Sequence, residues 1–551
     1  MTTTSDQPAS STLRALPRRI AGGALARALR LPAATHRYTV SSVKIPMRDG
    51  VELLADQYDP VGDAVGTLLV RGPYGRAFPF SLVFAYLHAA RGYRVILQSV
   101  RGTFGSGGHF QPMVHEAADG ADTVEWLRRQ PWFTGRFATI GISYLGYTQW
   151  ALLKDPPPEL AAAVITAGPH DFAASAWGTG SFTVNDFLGW SNLVAHQEDP
   201  GRIRAGLRQL RAQKEVVRAA GEVPLGASGR TLLGERAGWW ENWLNHPEDD
   251  AAFWDSMGVG AALDRVQVPT LLLSGWQDLF LPQTLQQYRQ LRERGVEVAM
   301  TMGPWNHTQL LFAGLPTLAK ETGDWLDTHV AGRPARARPS RVRSFVTNEG
   351  WRELPDWPPA TTDRALYLQP GGGLGETSPA EGFSASFRYD PAEPTPTIGG
   401  RLLSPDGGYR DDGPLATRRD VLSFTSDVLS EDLPVFGRPI AELAHSSDNP
   451  HVDVFVRISE VDAKGRSRNV SDAYRRLDGS AGDGTVRLEL DEIAHRFRAG
   501  TRIRVLIAGG SHPRFARNLG TGEAIATGSE LRPAVHQVHF GTSRIVLPVG
   551  S

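Results

Sequence analysis

Residues 137–153 read FATIGISYLGYTQWALL. The first six form a short apolar run, Gly141-Ile142-Ser143-Tyr144-Leu145-Gly146 is turn-prone, and a helical pattern follows. A strand that turns sharply into a helix with a serine at the bend is the layout of a nucleophile elbow. The bend crowds the backbone, so small residues are needed beside the serine. Gly141, two positions before Ser143, meets that need. In the G-x-S-x-G form the second glycine falls at 145, but here position 145 is leucine and the glycine is Gly146. A serine that only caps a helix would fit the same letters. The surrounding order of elements favours the nucleophile.

Working outward, the same buried rhythm recurs in GTLLVRG (66–72), YRVILQSV (93–100), AAAVITAG (161–168), PTLLLSG (269–275) and VEVAMTMG (296–303). Helical segments such as EAADGADTVEWLRRQ (116–130) separate them. Apolar strands alternating with helices predict a parallel sheet covered on both faces. Upstream, YTVSSVKIPMRDGVELLADQYDP (38–60) alternates on either side of Arg48-Asp49-Gly50 and reads as a hairpin. Residues 171–258 break the rhythm with six tryptophans (177, 190, 239, 240, 243 and 254) and read as an inserted helical cap. From 341 onward, short alternating strands beginning with VRSFVT predict a β-sandwich or jelly roll. The expected organisation is therefore a leader at 1–37, an α/β domain at 38–168 and 259–335, a cap at 169–258 and a β domain at 341–551.

The 551 residues carry 58 Lys+Arg against 59 Asp+Glu, a net charge of −1 that excludes a general nucleic-acid binder. There is no cysteine, which excludes disulfides, thiolate nucleophiles and cysteine-ligated metal sites. No apolar run is long enough to span a membrane. Residues 12–34 resemble a signal peptide in part, but Arg27 and Arg30 interrupt the apolar stretch. We read a flexible leader with a short basic helix and a cytoplasmic protein, export being the alternative.

A serine hydroxyl needs a base and an orienting acid to act as a nucleophile, in the chain order Ser, Asp/Glu, His on α/β sheets. PTLLLSGWQDLF (269–280) ends a buried strand at Asp278, and VEVAMTMGPWNH (296–307) ends another at His307. Both follow carboxyl ends of strands, where α/β sites lie. His115, His170 and His196 lack that context. No metal-ligand spacing is present, and RGTFGSGG (101–108) lacks the lysine of a phosphate loop, so it reads as a tight turn near the site. No cofactor is required. Acyl transfer also needs oxyanion donors, one of them the N–H of Tyr144 after the nucleophile. In LLVRGPYGR (68–76), Tyr74 either supplies a second donor or packs as a turn residue.

Together GISYLGYTQW, RGPYGR, SGWQDLF and GPWNH resemble the cocaine-esterase-like hydrolases, relatives of X-Pro dipeptidyl-peptidases and α-amino-acid ester hydrolases. IPMRDG (45–50), YDPAEPTPTIGG (389–400), DVLSFTSDVLSEDLPVFG (420–437) and SHPRFARNLGTG (511–522) extend the resemblance to the C-terminus. It implies an α/β-hydrolase domain, an inserted helical cap and a C-terminal jelly roll. It implies Ser143 as nucleophile, Asp278 as acid, His307 as base, and the Tyr74 hydroxyl and Tyr144 amide as oxyanion donors. It further implies an acyl pocket walled by Trp190 (LGWSNL), Phe280 and Leu403. After Leu402-Leu403 the family's aromatic is replaced by Ser404, and the family's QDVRG becomes QSVRG (98–102), losing an acid at Ser99.

The expected activity is ester hydrolysis through an acyl-enzyme, on a small-molecule substrate. An exopeptidase or α-amino-acid ester hydrolase is the alternative, needing carboxylates such as Glu248, Asp249 or Asp250 to hold an ammonium group. A non-catalytic ligand-binding protein is the rival of another class. The C-terminal sandwich has two readings, a wall over the pocket or the contact of a homodimer.

Overall fold

The computed structural model describes residues 27, 33–333, 338–478 and 484–550, with 202–210 described by backbone alone. Most of the expected leader lies outside the described residues.

The first sheet has ten strands in the order β1-β2-β4-β3-β5-β6-β7-β8-β9-β10. These are β1 (Tyr38–Pro46), β2 (Glu52–Pro60), β3 (Gly66–Gly72), β4 (Tyr93–Ser99), β5 (Phe137–Ile142), β6 (Leu160–Thr166), β7 (Thr270–Gln277), β8 (Val298–Asn306), β9 (Val342–Val346) and β10 (Gly350–Leu354). β1 and β2 form the expected hairpin, with Tyr38 opposite Pro60. From β4 to β9 the neighbours run parallel. Every residue of β5 and β7 is buried, as both faces of a covered parallel sheet require. Alternate side chains serve opposite cores. Leu68, Val70, Val164, Leu271 and Leu273 pack on one face, and Leu69, Ile165, Leu272 and Met300 on the other.

Chain progression reverses at β3, which lies between β4 and β5. Such a switch point opens a crevice beyond the carboxyl ends of the two strands. Tyr74 follows β3 and Ser143 follows β5, so the crevice receives both.

One strand differs from expectation. VRSFVT, read as the start of the C-terminal sandwich at 341, instead pairs in parallel with β8 as β9 and carries β10 at the sheet's edge. A five-residue alternating strand suits an edge in either sheet, and β8 offered the open partner. The division between the sheets therefore falls between Leu354 and Thr361. Beyond it, twelve strands form a second, almost wholly antiparallel sheet system with a core of its own.

The cap is helical, as expected, and packs its tryptophans inward: Trp240 and Trp243 are each 1 % exposed. It is stitched to the C-terminal domain by main-chain hydrogen bonds. The Asn185 N–H donates to the Pro513 carbonyl (3.0 Å) and the Ala516 N–H to the Phe182 carbonyl (2.8 Å).

Candidate active site

Ser143 sits at φ 59°, ψ −123°, between β5 and helix α1 (Tyr144–Leu152). A non-glycine residue at positive φ is strained, and such strain persists where the surroundings impose it. The displaced glycine now has a reason. A Cβ at Gly141 would lie 2.6 Å from the Leu145 carbonyl oxygen, and one at Gly146 would lie 2.6 Å from the Gly168 Cα. Gly141 lets the elbow close, while Gly146 lets α1 settle against the end of β6. Leu145 fills the space above Gly72 at the end of β3, where a Cβ would come 2.3 Å from its Cδ1.

One cavity beyond the strand ends, with about 390 Å³ of empty space, is lined by Ser143, Tyr144, Tyr74 and His307. Its other walls are mostly apolar, including Met113, Phe172, Phe187, Trp190, Phe280 and Leu403. Asp278 is fully buried behind them. The His307 Nδ1–H donates to Asp278 Oδ2 at 2.6 Å, and the Phe280 N–H donates to Oδ1 at 2.7 Å. The carboxylate thus fixes the imidazole tautomer and leaves Nε2 as the basic nitrogen. Phe280 meets the His307 ring edge-on, 5.6 Å between centroids. Asn306 caps the short helix α2 (His307–Leu310) through a capping box with Gln309, which fixes where His307 leaves β8.

The Tyr74 hydroxyl accepts from the Trp190 indole N–H at 2.9 Å, and burial pushes its phenol up, so it remains protonated and able to donate. The Tyr144 side chain is anchored through its hydroxyl. Its hydroxyl donates to Glu116 Oε1 (2.8 Å) and accepts from the Met113 N–H (2.7 Å). Glu116 is itself buried against Arg71, 3.1 Å away, and burial pushes its carboxyl up. Sequence reading missed this brace, because nothing local ties Arg71 of RGPYGR or the ring of Tyr144 to Glu116.

Position 99 acquires a meaning as well. Ser99 Oγ accepts from Arg76 Nη1 at 2.5 Å, and Arg76 Nε pairs with Asp56 at 3.2 Å. The acid missing from QSVRG faces the arginine of the Tyr74 loop, and here Asp56 supplies the carboxylate. The glycine-rich turn lies beside it, with the Phe104 carbonyl accepting from the same guanidinium.

Trp190, Phe280 and Leu403 all line the cavity. Glu248, Asp249 and Asp250 do not; Glu248 lines an adjoining cavity that shares Asp186 and Leu279 with this one, and Asp250 caps a cap helix. The acid in the wall is Asp186, four residues before Trp190 on helix Val184–His196. That spacing to a pocket tryptophan was the signal that could have found it. Its Oδ1 accepts from the Leu403 N–H at 2.7 Å, and burial pushes its carboxyl up. Leu403 therefore closes the pocket from the C-terminal domain, while Ser404 turns away to accept from the Asp406 N–H (3.2 Å).

Residues 49–309 match the X-Pro dipeptidyl-peptidase (S15) family, and residues 335–545 match the non-catalytic C-terminal domain of X-Pro dipeptidyl-peptidases. The chain is 32 % identical to the cocaine esterase of Rhodococcus sp. (strain MB1 Bresler), over 93 % of this chain and 99 % of that protein. The chain belongs to the S15 family. Two solved structures are similar along its length. An aminopeptidase from the marine sediment archaeon Thaumarchaeota archaeon superposes with a TM-score of 0.80 at 25 % identity, covering 94 % of this chain and 98 % of that one. An α-amino acid ester hydrolase shares the fold, with a TM-score of 0.77 at 23 % identity and the same coverage. This S15 chain is a serine hydrolase, and ester hydrolysis is the activity its membership supports.

Proposed function

We propose that the chain hydrolyses carboxylic esters with an apolar acyl group, using Ser143, His307 and Asp278 as a catalytic triad. The observation that carries this reading is the single apolar cavity shared by Ser143, Tyr74 and His307, with His307 fixed by Asp278. Ser143 Oγ attacks the acyl carbon while His307 Nε2 takes its proton. The resulting oxyanion is held by the Tyr74 hydroxyl and the Tyr144 N–H. Collapse breaks the ester C–O bond, and the imidazolium returns its proton to the departing alcohol. Water, deprotonated by the same nitrogen, then attacks the acyl-enzyme and releases the acid and free Ser143.

The cocaine esterase relative supports an ester substrate, and the aromatic walls suit an aryl or branched alkyl acyl group. For the exopeptidase alternative, Asp186 is the carboxylate in the wall of the Ser143 cavity that would hold an ammonium group. The Leu403 N–H already occupies its Oδ1, and burial disfavours its charge. The test is a panel of esters of graded acyl size with matched amides and α-amino esters. Bulky apolar acyl esters should be turned over fastest, and Ser143→Ala should abolish turnover and fluorophosphonate labelling. Preference for free α-amino esters over their desamino analogues would favour the alternative, and absence of labelling in the unmutated chain would favour a binding protein.

A further inference from the structure

Tyr74 and Trp190 share a hydrogen bond that can run in only one direction. The Trp190 indole Nε1–H lies 2.9 Å from the Tyr74 hydroxyl oxygen. An indole nitrogen can donate but not accept. The phenolic oxygen must therefore accept from Trp190, and its own single proton must point elsewhere. Ser143 lines the same cavity as Tyr74. A phenolic O–H prefers the plane of its ring, which leaves it two orientations. The ring plane is held by Phe80, stacked at 5.2 Å and 20°. With donation toward Trp190 excluded, the proton is left for the cavity that Tyr74 shares with Ser143 and His307, where the oxyanion forms.

From this we infer that Trp190 is a positioning residue as well as a pocket wall: it directs the Tyr74 proton at the oxyanion. The inference rests on the reading of Tyr74 as an oxyanion donor. Trp190 is built for the task. It is 8 % exposed, and its ring stacks on Tyr144 at 6.0 Å with only 4° between the planes. Tyr144 carries the other proposed donor and is braced by Glu116 and Met113. One indole thus orients the hydroxyl donor through a hydrogen bond and packs against the residue that bears the amide donor. A donor aligned before reaction needs no reorganisation as charge develops.

The test is a double-mutant cycle on the single-turnover acylation rate with an activated aryl acetate, whose small acyl group makes little use of the pocket wall. Trp190→Phe should slow acylation about three- to tenfold, the range of one neutral hydrogen bond, with a smaller change in KM. In a Tyr74→Phe background the same substitution should change the rate less than about twofold, because no proton remains to direct. Equal losses in both backgrounds would overturn the inference and leave Trp190 as a wall only. A Tyr74→Phe variant as active as the unmutated chain would instead remove the underlying reading of Tyr74, a result visible in that variant alone. If Trp190→Phe loses its thermal transition, 3-benzothienylalanine incorporated at position 190 keeps the bicyclic ring and replaces the N–H by a sulfur that cannot donate. The same coupling to Tyr74 is expected from it, and additive losses would again refute the role.

Discussion

At the single residue, the site depends on which atom carries each proton. Asp278 accepts from His307 Nδ1–H and so fixes the tautomer with Nε2 free. Asp278→Asn would offer an N–H where an acceptor is needed, and the imidazole would adopt the wrong tautomer. An equivalent change in a Ser-His-Asp enzyme lowers kcat about 10⁴-fold with the geometry intact. A loss of that order is expected here, measured on a good ester with the fold checked by circular dichroism. A loss under tenfold would remove Asp278 from the mechanism. Tyr74→Phe removes only the hydroxyl and keeps the ring on Phe80. It should lower kcat about 10²- to 10³-fold, the usual cost of an oxyanion donor. KM should scarcely move, since that interaction forms fully only in the transition state. A loss under about threefold, with chemistry limiting, would return Tyr74 to a packed turn residue.

For the elements, the elbow rests on close approaches that only glycine allows. Gly146 faces main chain at the end of β6, whereas Gly72 faces the Leu145 side chain, which can move. Gly146→Ala must therefore push α1 away from β6 and displace Ser143 with it. Overpacking of this kind costs about 1–3 kcal/mol, so a lowered thermal midpoint together with a lower kcat is expected. Gly72→Ala, absorbed partly by rotation of Leu145, should cost less in both. If Gly146→Ala matches the parent in midpoint and rate, the account of the displaced glycine fails. The glycine position was legible in the sequence. Its reason was not, because Gly168 approaches Gly146 only after β6 has joined the sheet beside β5.

Across the whole molecule, burial of neutral imidazoles ties stability to pH. His88, His170, His445 and His536 are each no more than 6 % exposed. Burial pushes His88 and His536 down to about 3, and His170 and His445 down to about 4. In the unfolded chain the same groups protonate near the ordinary value of about 6.5. Between these limits the unfolded state binds more protons, so stability drops as pH falls from about 6.5 toward 4. Each fully neutral histidine contributes up to about 1.4 kcal/mol per pH unit across that window. The thermal midpoint should be level above pH 7 and fall steeply below pH 6, as read by calorimetry. Replacing His445 and His536 by Gln, a pair bonded at 3.1 Å in the C-terminal domain, should flatten the slope. A midpoint unchanged from pH 7 to 4.5 would contradict this.

Sequence alone determined the features written in neighbouring residues. The strand–serine–helix bend, the order of Ser143, Asp278 and His307 at the ends of three strands, and the change of texture into cap and β domain are all local. They were readable because parallel strands bring their carboxyl ends to one edge, so residues far apart in the chain converge without further instruction. Tertiary structure alone decided what depends on long-range pairing. VRSFVT joined the first sheet because β8 had an open edge. Ser99 gained its partner only when β4 lay beside the Tyr74 loop. Asp186 entered the pocket wall through the main chain of Leu403, 217 residues away, and the direction of the Tyr74 proton was set by an indole 116 residues away. No local pattern encodes such contacts, because hydrogen-bond direction depends on which donor the finished fold brings within reach.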